Sequence, residues 1–321
     1  MSSDKCANLL HFDPACVWSP YNLDMDKKLE SNVFKTALLF EGGSLRAAYT
    51  CAVVVWLLEQ GIYFDKVYGV SAGSSNTVNY LSRDACRARA SFTTFMEDPL
   101  VGDAKTLLQH KGLFNAHYIY QESGLPDGVL PFDFETVHNN PADCCIVAYD
   151  QDTGEDLFFT KKDMPTLEDL MVRVRASSTL PAFMPPPKID GRVCYDGGFA
   201  IGGGLPLKKI EADGYERVFV VRTRQRGYRK TDKGEWAKTF FWQRPMMRDA
   251  MLTRSQRYNE ACDLLDGWEK EGRAQVFYCD DLTLKGTERD VELLTKNYDA
   301  GYAQIQRDGA DVMRFVELNE R

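Results

Sequence analysis

FDKVYGVSAGSSN, residues 64–76, places a serine between a predicted strand and a predicted helix. Residues 64–70 are predicted to form a short strand, residues 71–74 the turn, and the residues from Ser75 onward continue for the length of a helix. A Gly-x-Ser-x-Gly pattern on such a turn presents the hydroxyl of Ser71 above the end of a sheet. The alternative is a plain turn of small residues, because an isolated serine does no chemistry.

The segment immediately before it has the same organisation. Residues 33–44, VFKTALLFEGGS, place an apolar run before Gly42 and Gly43, and residues 45–62 have helical length, with Gly61 placed to cap the helix C-terminus. Two successive strand-turn-helix units predict a parallel sheet with right-handed crossover connections. We therefore expect an α/β fold, a three-layer α/β/α sandwich around a mainly parallel central sheet.

Later parts of the chain continue the alternation of strands and helices. Further strands are predicted at residues 143–151, 155–160, 217–223 and 274–280. Helices are predicted at residues 75–96, 166–177, 246–270 and 288–317. Because no linker or repeat divides the sequence, we expect one domain over residues 1–321, with a motif-bearing core at about 35–225 and the helices and strand of 246–321 packing on the same sheet.

Composition limits the classes of partner and location. The formal net charge of -8 disfavours nucleic acid as a partner of the whole molecule. The nine cysteines contain no CxxC pair, so they predict reduced core residues rather than disulfides or a zinc site. Polar residues interrupt the first 20 residues, and no apolar run reaches the about 20 residues that span a bilayer, so we expect a cytoplasmic protein.

A second motif, EGGSLRA at residues 41–47, follows the first predicted strand and opens a helix. Backbone N–H groups of a glycine turn at a helix N-terminus attract negative charge, and an oxyanion formed at Ser71 could lie there. A dinucleotide site is the competing interpretation, but the pattern Gly-x-Gly-x-x-Gly is absent. A purely structural role, in which the glycines allow close packing of helix on strand, stays open at this point.

The histidines are few and early, which bears on the identity of a base. They are His11, His110, His117 and His138. A Ser-Asp-His order would have to be compressed between Ser71 and His138, and surface positions are expected for His110, His117 and His138. An aspartate base is therefore favoured, and Asp196, followed by two glycines, stands out, although Asp-Gly is also a common hairpin turn.

Together these motifs resemble the patatin-like phospholipase family, whose Ser-Asp dyad lies in Gly-x-Ser-x-Gly and Asp-Gly-Gly or Asp-Gly-Ala motifs. The matching residues are Gly69, Ser71 and Gly73 in the first motif and Asp196, Gly197 and Gly198 in the second. In the family's oxyanion motif, Asp/Glu-Gly-Gly-Gly-x-Arg-Gly, the matches are Gly42, Gly43 and Arg46, whereas Ser44 and Ala47 replace glycines. ASSTLPAFMPPP at 176–187 is similar to a further family segment, and residues 220–230 resemble a bacterial subgroup of uncharacterised esterases.

The resemblance implies calcium-independent hydrolysis of acyl esters without a cofactor or metal. Ser71 would be the nucleophile and Asp196 the base, and the backbone around Gly42, Gly43 and Ser44 would hold the oxyanion. Arg46 has two interpretations, a positive charge near that site or an ion pair with a surface carboxylate. The substrate would be an acyl ester or phospholipid. Acyl transfer on the same dyad and lipid binding with weak catalysis are the alternatives.

Residues 222–244 form a basic segment that also contains aromatic residues. It contains eight Lys and Arg residues, two acidic residues and five aromatic residues. An anionic head group or a transient contact with a membrane surface would suit this composition. The aromatics cluster at one end, which favours a solvated loop whose aromatic residues return to the core. The sequence leaves the oligomeric state undetermined.

Overall fold

The computed structural model describes residues 29–102, 106, 109, 111–232 and 234–316. The first 20 residues, His11 and His110, on which some of the expectations rest, lie outside these ranges.

Eight strands form the sheet, in the order β5-β6-β3-β2-β1-β7-β8, with β4 also paired to β3. They are β1 (Thr36–Phe40), β2 (Lys66–Val70), β3 (Asp143–Asp150), β4 (Asp156–Phe159), β5 (Lys188–Ile189), β6 (Arg192–Asp196), β7 (Arg217–Val221) and β8 (Ala274–Phe277). The pairs β1-β2, β2-β3, β1-β7 and β7-β8 are parallel, whereas β3-β4, β3-β6 and β5-β6 are antiparallel. The parallel centre confirms the predicted fold class.

Helices cover both faces of this sheet. They are α1 (Ala47–Glu59), α2 (Ala72–Leu81), α3 (Ala85–Ala90), α4 (Phe134–Asn139), α5 (Leu167–Ser178), α6 (Leu207–Ala212), α7 (Ala237–Phe240), α8 (Pro245–Lys270) and α9 (Val291–Phe315). None of the helices in the described ranges has the length and apolar character that crossing a bilayer requires.

Side chains alternate between the two faces along each central strand, as the pleat requires. Leu38 and Phe40 join a core with α1, α2 and α9, whereas Leu39 joins a second core with α6 and α8. Cys144 and Cys145 likewise enter opposite cores, and the cysteines of the described ranges are free thiols. The three layers are therefore α1, α2 and α9, the sheet, and α6 and α8.

The single helix predicted over residues 75–96 is wrong. The structure has α2, α3 and a short 3-10 helix at Thr94–Glu97 instead. The chain breaks at Arg83, whose φ of 57° no helix residue adopts, and Asp84 then caps α3 by accepting a hydrogen bond from the Arg87 N–H at 2.8 Å. Asp is a favoured N-cap, so its position in the sequence is a signal for a second helix.

The hairpin β5-β6 was not predicted from the sequence. Its turn is Asp190-Gly191, with φ of 50° and 83°, and a two-residue turn with both φ values positive is the type that Asp-Gly favours. Asp196-Gly197 consists of the same two residue types, but it begins a 3-10 turn and not a hairpin. The hairpin matters because β6 carries Asp196 to the end of the sheet.

Candidate active site

Ser71 occupies a sharp turn between β2 and α2. Its φ of 56° and ψ of -129° are outside the usual range of a residue with a side chain, a strain that costs about 1–3 kcal/mol. Its carbonyl accepts the N–H of Ser74 at 2.8 Å, and its own N–H donates to the Ser177 hydroxyl at 2.9 Å. The surrounding backbone thus fixes a conformation that the residue would not adopt alone.

The two glycines that flank Ser71 lie behind it. Gly69 is in β2, and Gly73 is in the first turn of α2. A side-chain carbon on Gly73 would lie 2.1 Å from the Phe40 carbonyl oxygen, so only glycine lets α2 pack this closely on the end of β1. The glycine following the serine is therefore explained by packing.

Asp196 reaches the same end of the sheet from β6. In β3, Val147 pairs with Val70 of β2 and Ala148 pairs with Asp196 of β6, so the ends of β2 and β6 meet along one edge of β3. Asp196 is 1% exposed, and its Oδ1 accepts the N–H of Gly198 at 2.7 Å. Its Oδ2 is buried and makes no hydrogen bond with any described residue.

Burial raises the pKa of the Asp196 carboxyl above its ordinary value. The positive charge of Arg254, the Ser71 hydroxyl, the Gly198 N–H and the charge of Lys230 all oppose this rise. By geometry Oδ2 has no partner among the described residues, the Ser71 hydroxyl is close enough to act on the carboxyl, and burial moves the pKa toward the range in which a carboxylate accepts protons well.

An open cavity lies above this end of the sheet. Its lining includes Ser71, Asp196 and Gly198, and also Gly42, Gly43, Ser44 and Arg46 of the second motif. The structure therefore brings the residues of three separate motifs together. Gly197 follows Asp196 in the 3-10 turn and, with Gly69 and Gly73, is not part of the lining.

The loop between β1 and α1 closely approaches Ser71. A side-chain carbon on Gly42 would lie 2.7 Å from the Ser71 Cβ, so glycine is required there. The N–H groups of Gly42, Gly43 and Ser44 meet no acceptor in the described part of the chain. Ser44 has a φ of 51°, the left-handed conformation that the family's glycine would adopt without strain.

A buried ion pair between Glu41 and Arg222, which the sequence did not reveal, supports this loop. Glu41 accepts hydrogen bonds from the Arg222 Nε at 3.0 Å, from the Thr223 N–H at 2.9 Å and from the Tyr258 hydroxyl at 2.5 Å. Although burial acts in the opposite direction, Arg222 keeps the pKa of Glu41 below its ordinary value. The pair joins the ends of β1 and β7 directly beneath Gly42.

A second, mainly apolar cavity adjoins the first. Ser44 and Phe114 line both cavities. The apolar lining of the second comes chiefly from Val78, Phe92, Phe95, Met96, Leu130, Met171 and Val174. A hydrophobic space thus opens beside the Gly-rich loop and the start of α2.

The two histidines in the described ranges do not contribute to the site. His117 is exposed and lies 3.2 Å from the Glu122 carboxylate, and His138 is exposed beside Phe134. Neither lines the cavity that holds Ser71 and Asp196. Their expected surface positions are confirmed.

Comparison with family models shows to which family the chain belongs. A model described as patatin-like phospholipase matches residues 38–206, just over half of the sequence. The chain belongs to the patatin-like phospholipase family. The family is one of lipid acyl hydrolases. A second model, a domain of unknown function (DUF6363), matches residues 244–317 and so covers α8, β8 and nearly all that follows.

Other comparisons add little to this assignment. VipD from Legionella pneumophila is a solved structure with a TM-score of 0.44 and 12% sequence identity to this patatin-like chain, covering 88% of this chain and 67% of VipD. A search of curated protein sequences gave no significant match.

The family segment at residues 176–187 acquires a physical role in this patatin-like fold. Ser177, at the end of α5, holds the N–H of Ser71, and Leu180 and Phe183 line the main cavity. The segment resembles the family's sequence, but its sequence alone does not indicate that any of these residues contributes to the site. The likeness of this segment to the family's segment between the Ser71 and Asp196 motifs was the available signal.

The basic segment 222–244 differs from the expectation of a solvated loop. Arg222 is buried against Glu41, and Arg224 and Lys230 line the main cavity. Phe241 returns to the core as expected, but Trp236, Phe240 and Trp242 are 45%, 51% and 68% exposed.

Proposed function

We propose that this patatin-like protein is a serine acyl hydrolase that cleaves lipid acyl esters through an acyl-enzyme. One observation carries the proposal: a single cavity is lined by Ser71, Asp196 and the loop at 42–44, whose N–H groups meet no acceptor among the described residues. A nucleophile, a proton acceptor and oxyanion donors are the three parts that acyl transfer needs.

In the first step the Asp196 carboxylate accepts the hydroxyl proton of Ser71 while Oγ attacks the acyl carbonyl carbon. The carbonyl oxygen becomes an oxyanion, and N–H groups of Gly42, Gly43 and Ser44 stabilise it. When the tetrahedral intermediate collapses, the ester C–O bond breaks and the leaving alkoxide takes the proton from Asp196. The products are the alcohol and the Ser71 ester.

In the second step water releases the acyl group. Asp196 removes a proton from the water, whose oxygen attacks the acyl carbon, and the same N–H groups hold the second oxyanion. Collapse breaks the bond to Ser71 Oγ, which takes the proton back from Asp196. The carboxylic acid leaves and the enzyme returns to its initial state.

The second cavity suits the acyl chain. Its lining includes Ser44 of the Gly-rich loop and Ala72, the residue after Ser71, and its walls are mostly apolar. Burial of each CH₂ group there contributes about 0.8 kcal/mol. We propose that the acyl chain occupies this space while the alcohol part of the ester faces the main cavity.

A label and a substrate together test this function. The protein should react with a fluorophosphonate at Ser71 and hydrolyse p-nitrophenyl butyrate, and S71A and D196N should each lower kcat by roughly 10³-fold or more. S82A, which removes a buried hydroxyl that bonds the Asn79 carbonyl at the far end of α2 and lines neither cavity, is the control and should keep both activities. Full activity of S71A would overturn the proposal.

The same assay separates hydrolysis from acyl transfer. An added acceptor alcohol that captures most of the acyl group, at the expense of free acid, identifies a transferase. Lipid that co-purifies with the protein but shows no turnover over hours identifies a binding protein. Hydrolysis with little transfer supports the acyl hydrolase.

We also propose that an aromatic patch, formed by Trp236, Phe240 and Trp242, contacts a lipid surface transiently. The Trp236 and Phe240 rings lie 5.7 Å apart, and Phe241, itself buried, anchors Phe240 at 4.8 Å. Exposed tryptophans favour the interface between water and lipid. An enzyme acting on lipids needs such a contact to reach its substrate.

A further inference from the structure

Four cationic side chains line the main cavity, namely Arg46, Arg224, Lys230 and Arg254. The acidic residues of its lining are Glu41, which is paired with Arg222 below the loop, and Asp196. Positive charge thus exceeds negative charge in this cavity, although the whole chain carries a net charge of -8.

None of the four cations forms a salt bridge with a carboxylate among the described residues. Neutral groups hold three of them. Lys230 donates to the Gly203 carbonyl at 3.1 Å and lies 3.6 Å from the Tyr258 ring centre, Arg254 donates to the Gly198 carbonyl at 2.9 Å, and Arg224 lies over Tyr228. These contacts position the charges but do not neutralise them.

The cations also affect one another. Burial and the charge of Arg224 lower the pKa of Arg46 to about 10. Burial and the charges of Arg254 and Arg224 lower the pKa of Lys230 well below its ordinary value. Arg46 and Lys230 therefore lie close to like charges in a half-buried site, and a bound anion would relieve this repulsion.

Arg46 adds a donor without a partner. Its Nε is buried and makes no hydrogen bond with any described residue. The sequence left open whether Arg46 pairs with a surface carboxylate, and the described residues provide no such pair. An unpaired guanidinium donor in a cavity is the kind of group that binds phosphate oxygens, which it can contact with two parallel hydrogen bonds.

We propose that Arg46, Arg224, Lys230 and Arg254 form a phosphate-binding subsite that selects acyl esters with an anionic phosphate in the alcohol part. This rests on the proposed acyl hydrolase. A phosphate monoester carries close to two negative charges and several acceptor oxygens, which match a group of four cations. A choline head group adds a positive charge, for which the cavity holds no free carboxylate besides Asp196, and a neutral glycerol supplies no charge.

Three substrates with the same oleoyl chain test this selection: 1-oleoyl-lysophosphatidic acid, 1-oleoyl-lysophosphatidylcholine and 1-monooleoylglycerol. In mixed detergent micelles, kcat/KM should be highest for lysophosphatidic acid, by roughly tenfold over each of the other two. Glycerol 3-phosphate and inorganic phosphate should inhibit cleavage of monooleoylglycerol competitively. Inhibition by glycerol 3-phosphate alone shows that the subsite needs the glycerol ester, and inhibition by both shows that it binds phosphate itself.

R224Q and K230Q should each lower the ratio of kcat/KM for lysophosphatidic acid to kcat/KM for monooleoylglycerol by roughly tenfold. R226Q is the matched control, because Arg226 lies in the same segment but is exposed and paired with Glu269 at 3.2 Å. It should leave both rates unchanged. If kcat/KM falls equally for lysophosphatidic acid and monooleoylglycerol, the cations only stabilise the oxyanion. That result overturns the subsite.

Binding to the S71A protein separates the subsite from the catalytic proposal. Calorimetry should detect 1-oleoyl-lysophosphatidic acid with S71A, and the affinity should fall roughly tenfold in S71A/R224Q but not in S71A/R226Q. If no ester is cleaved in a Ser71-dependent manner while this difference holds, the acyl hydrolase fails and the subsite stands. Equal affinities in the three proteins overturn the subsite.

Discussion

The hydroxyl oxygen of Ser177 accepts a hydrogen bond from the backbone N–H of Ser71 at 2.9 Å. The two residues are 106 positions apart and both buried, so α5 directly supports the strained turn at the end of β2. A buried N–H without an acceptor is costly, and this one belongs to a residue whose φ is positive.

Removing this acceptor should affect both folding and catalysis. S177A leaves the Ser71 N–H buried and unsatisfied, and we expect a loss of about 1–3 kcal/mol in the free energy of unfolding together with a lower kcat. Urea denaturation and ester hydrolysis measure the two effects. S82A should lose stability without a change in kcat, so equal kcat in S177A and S82A would argue against a positioning role.

The family has glycine at the positions of Ser44 and Ala47. Substitution by glycine should change the stability of the protein in opposite directions at these two positions. S44G removes a side chain from a residue with a φ of 51° and should stabilise the protein by about 1 kcal/mol. A47G places glycine at a helical φ of -66° and should destabilise it by about 0.5–1 kcal/mol. Thermal unfolding of both variants measures the difference, and a stability loss in S44G would contradict the strain assigned to Ser44.

The pH dependence of ester hydrolysis should report Asp196. Its carboxyl must be ionised to accept the Ser71 proton, and burial raises its pKa, so kcat/KM for a neutral ester should rise with pH through a pKa above that of an ordinary aspartate. Arg254 opposes the rise, and R254Q should therefore move this limb to higher pH. An unmoved limb in R254Q would assign the titration to another group.

D196N should be inactive and more stable at neutral pH. Folding raises the pKa of this carboxyl, so its contribution to stability is full below the unfolded pKa and is lost as the pH rises through the folded pKa. Asparagine avoids that loss and can still accept the Gly198 N–H, so we expect a gain of about 0.5–2 kcal/mol, typical of stabilising changes at active sites. Chemical denaturation at pH 5 and pH 8 should show a larger gain at pH 8.

The aromatic patch should govern binding to lipid vesicles. W242S and F240S should each weaken binding to vesicles of phosphatidylglycerol and phosphatidylcholine by roughly tenfold, while hydrolysis of dissolved p-nitrophenyl butyrate stays unchanged. M313S is the control, because Met313 is also an exposed apolar residue, 41% exposed, but lies on α9. Co-sedimentation measures the binding, and equal binding by all three variants would exclude the patch.

Local sequence signals predicted the fold class and most of its elements. Apolar runs before Gly42 and before Ser71 gave β1 and β2, and Gly61 caps α1 with a φ of 64°, its N–H bonded to the Leu58 carbonyl. These features depend on a few neighbouring residues. The break at Arg83 was missed because the apolar pattern continues across it and only the capping aspartate marks the second helix.

Contacts between distant residues could not be predicted. Glu41 meets Arg222 and Tyr258 only after β1, β7 and α8 have assembled, and nothing in the basic segment indicates that its first arginine is buried. The cations of the cavity come from three regions that are far apart in sequence, around residues 46, 224–230 and 254. Motif spacing selected Ser71 and Asp196, but the charges around them come from the tertiary fold.

The pairing register of β3 with β2 and β6 sets the spacing of Ser71 and Asp196, the two proposed catalytic residues. It pairs with β2 up to Val147 and with β6 from Ala148, so Val70 and Asp196 are opposite consecutive residues of one strand. An insertion of a single residue at this junction would move β6 by about 3.3 Å along the sheet and reverse the face on which its side chains lie. Length variation in this family should therefore be tolerated in the loops around β3 but not within the strand.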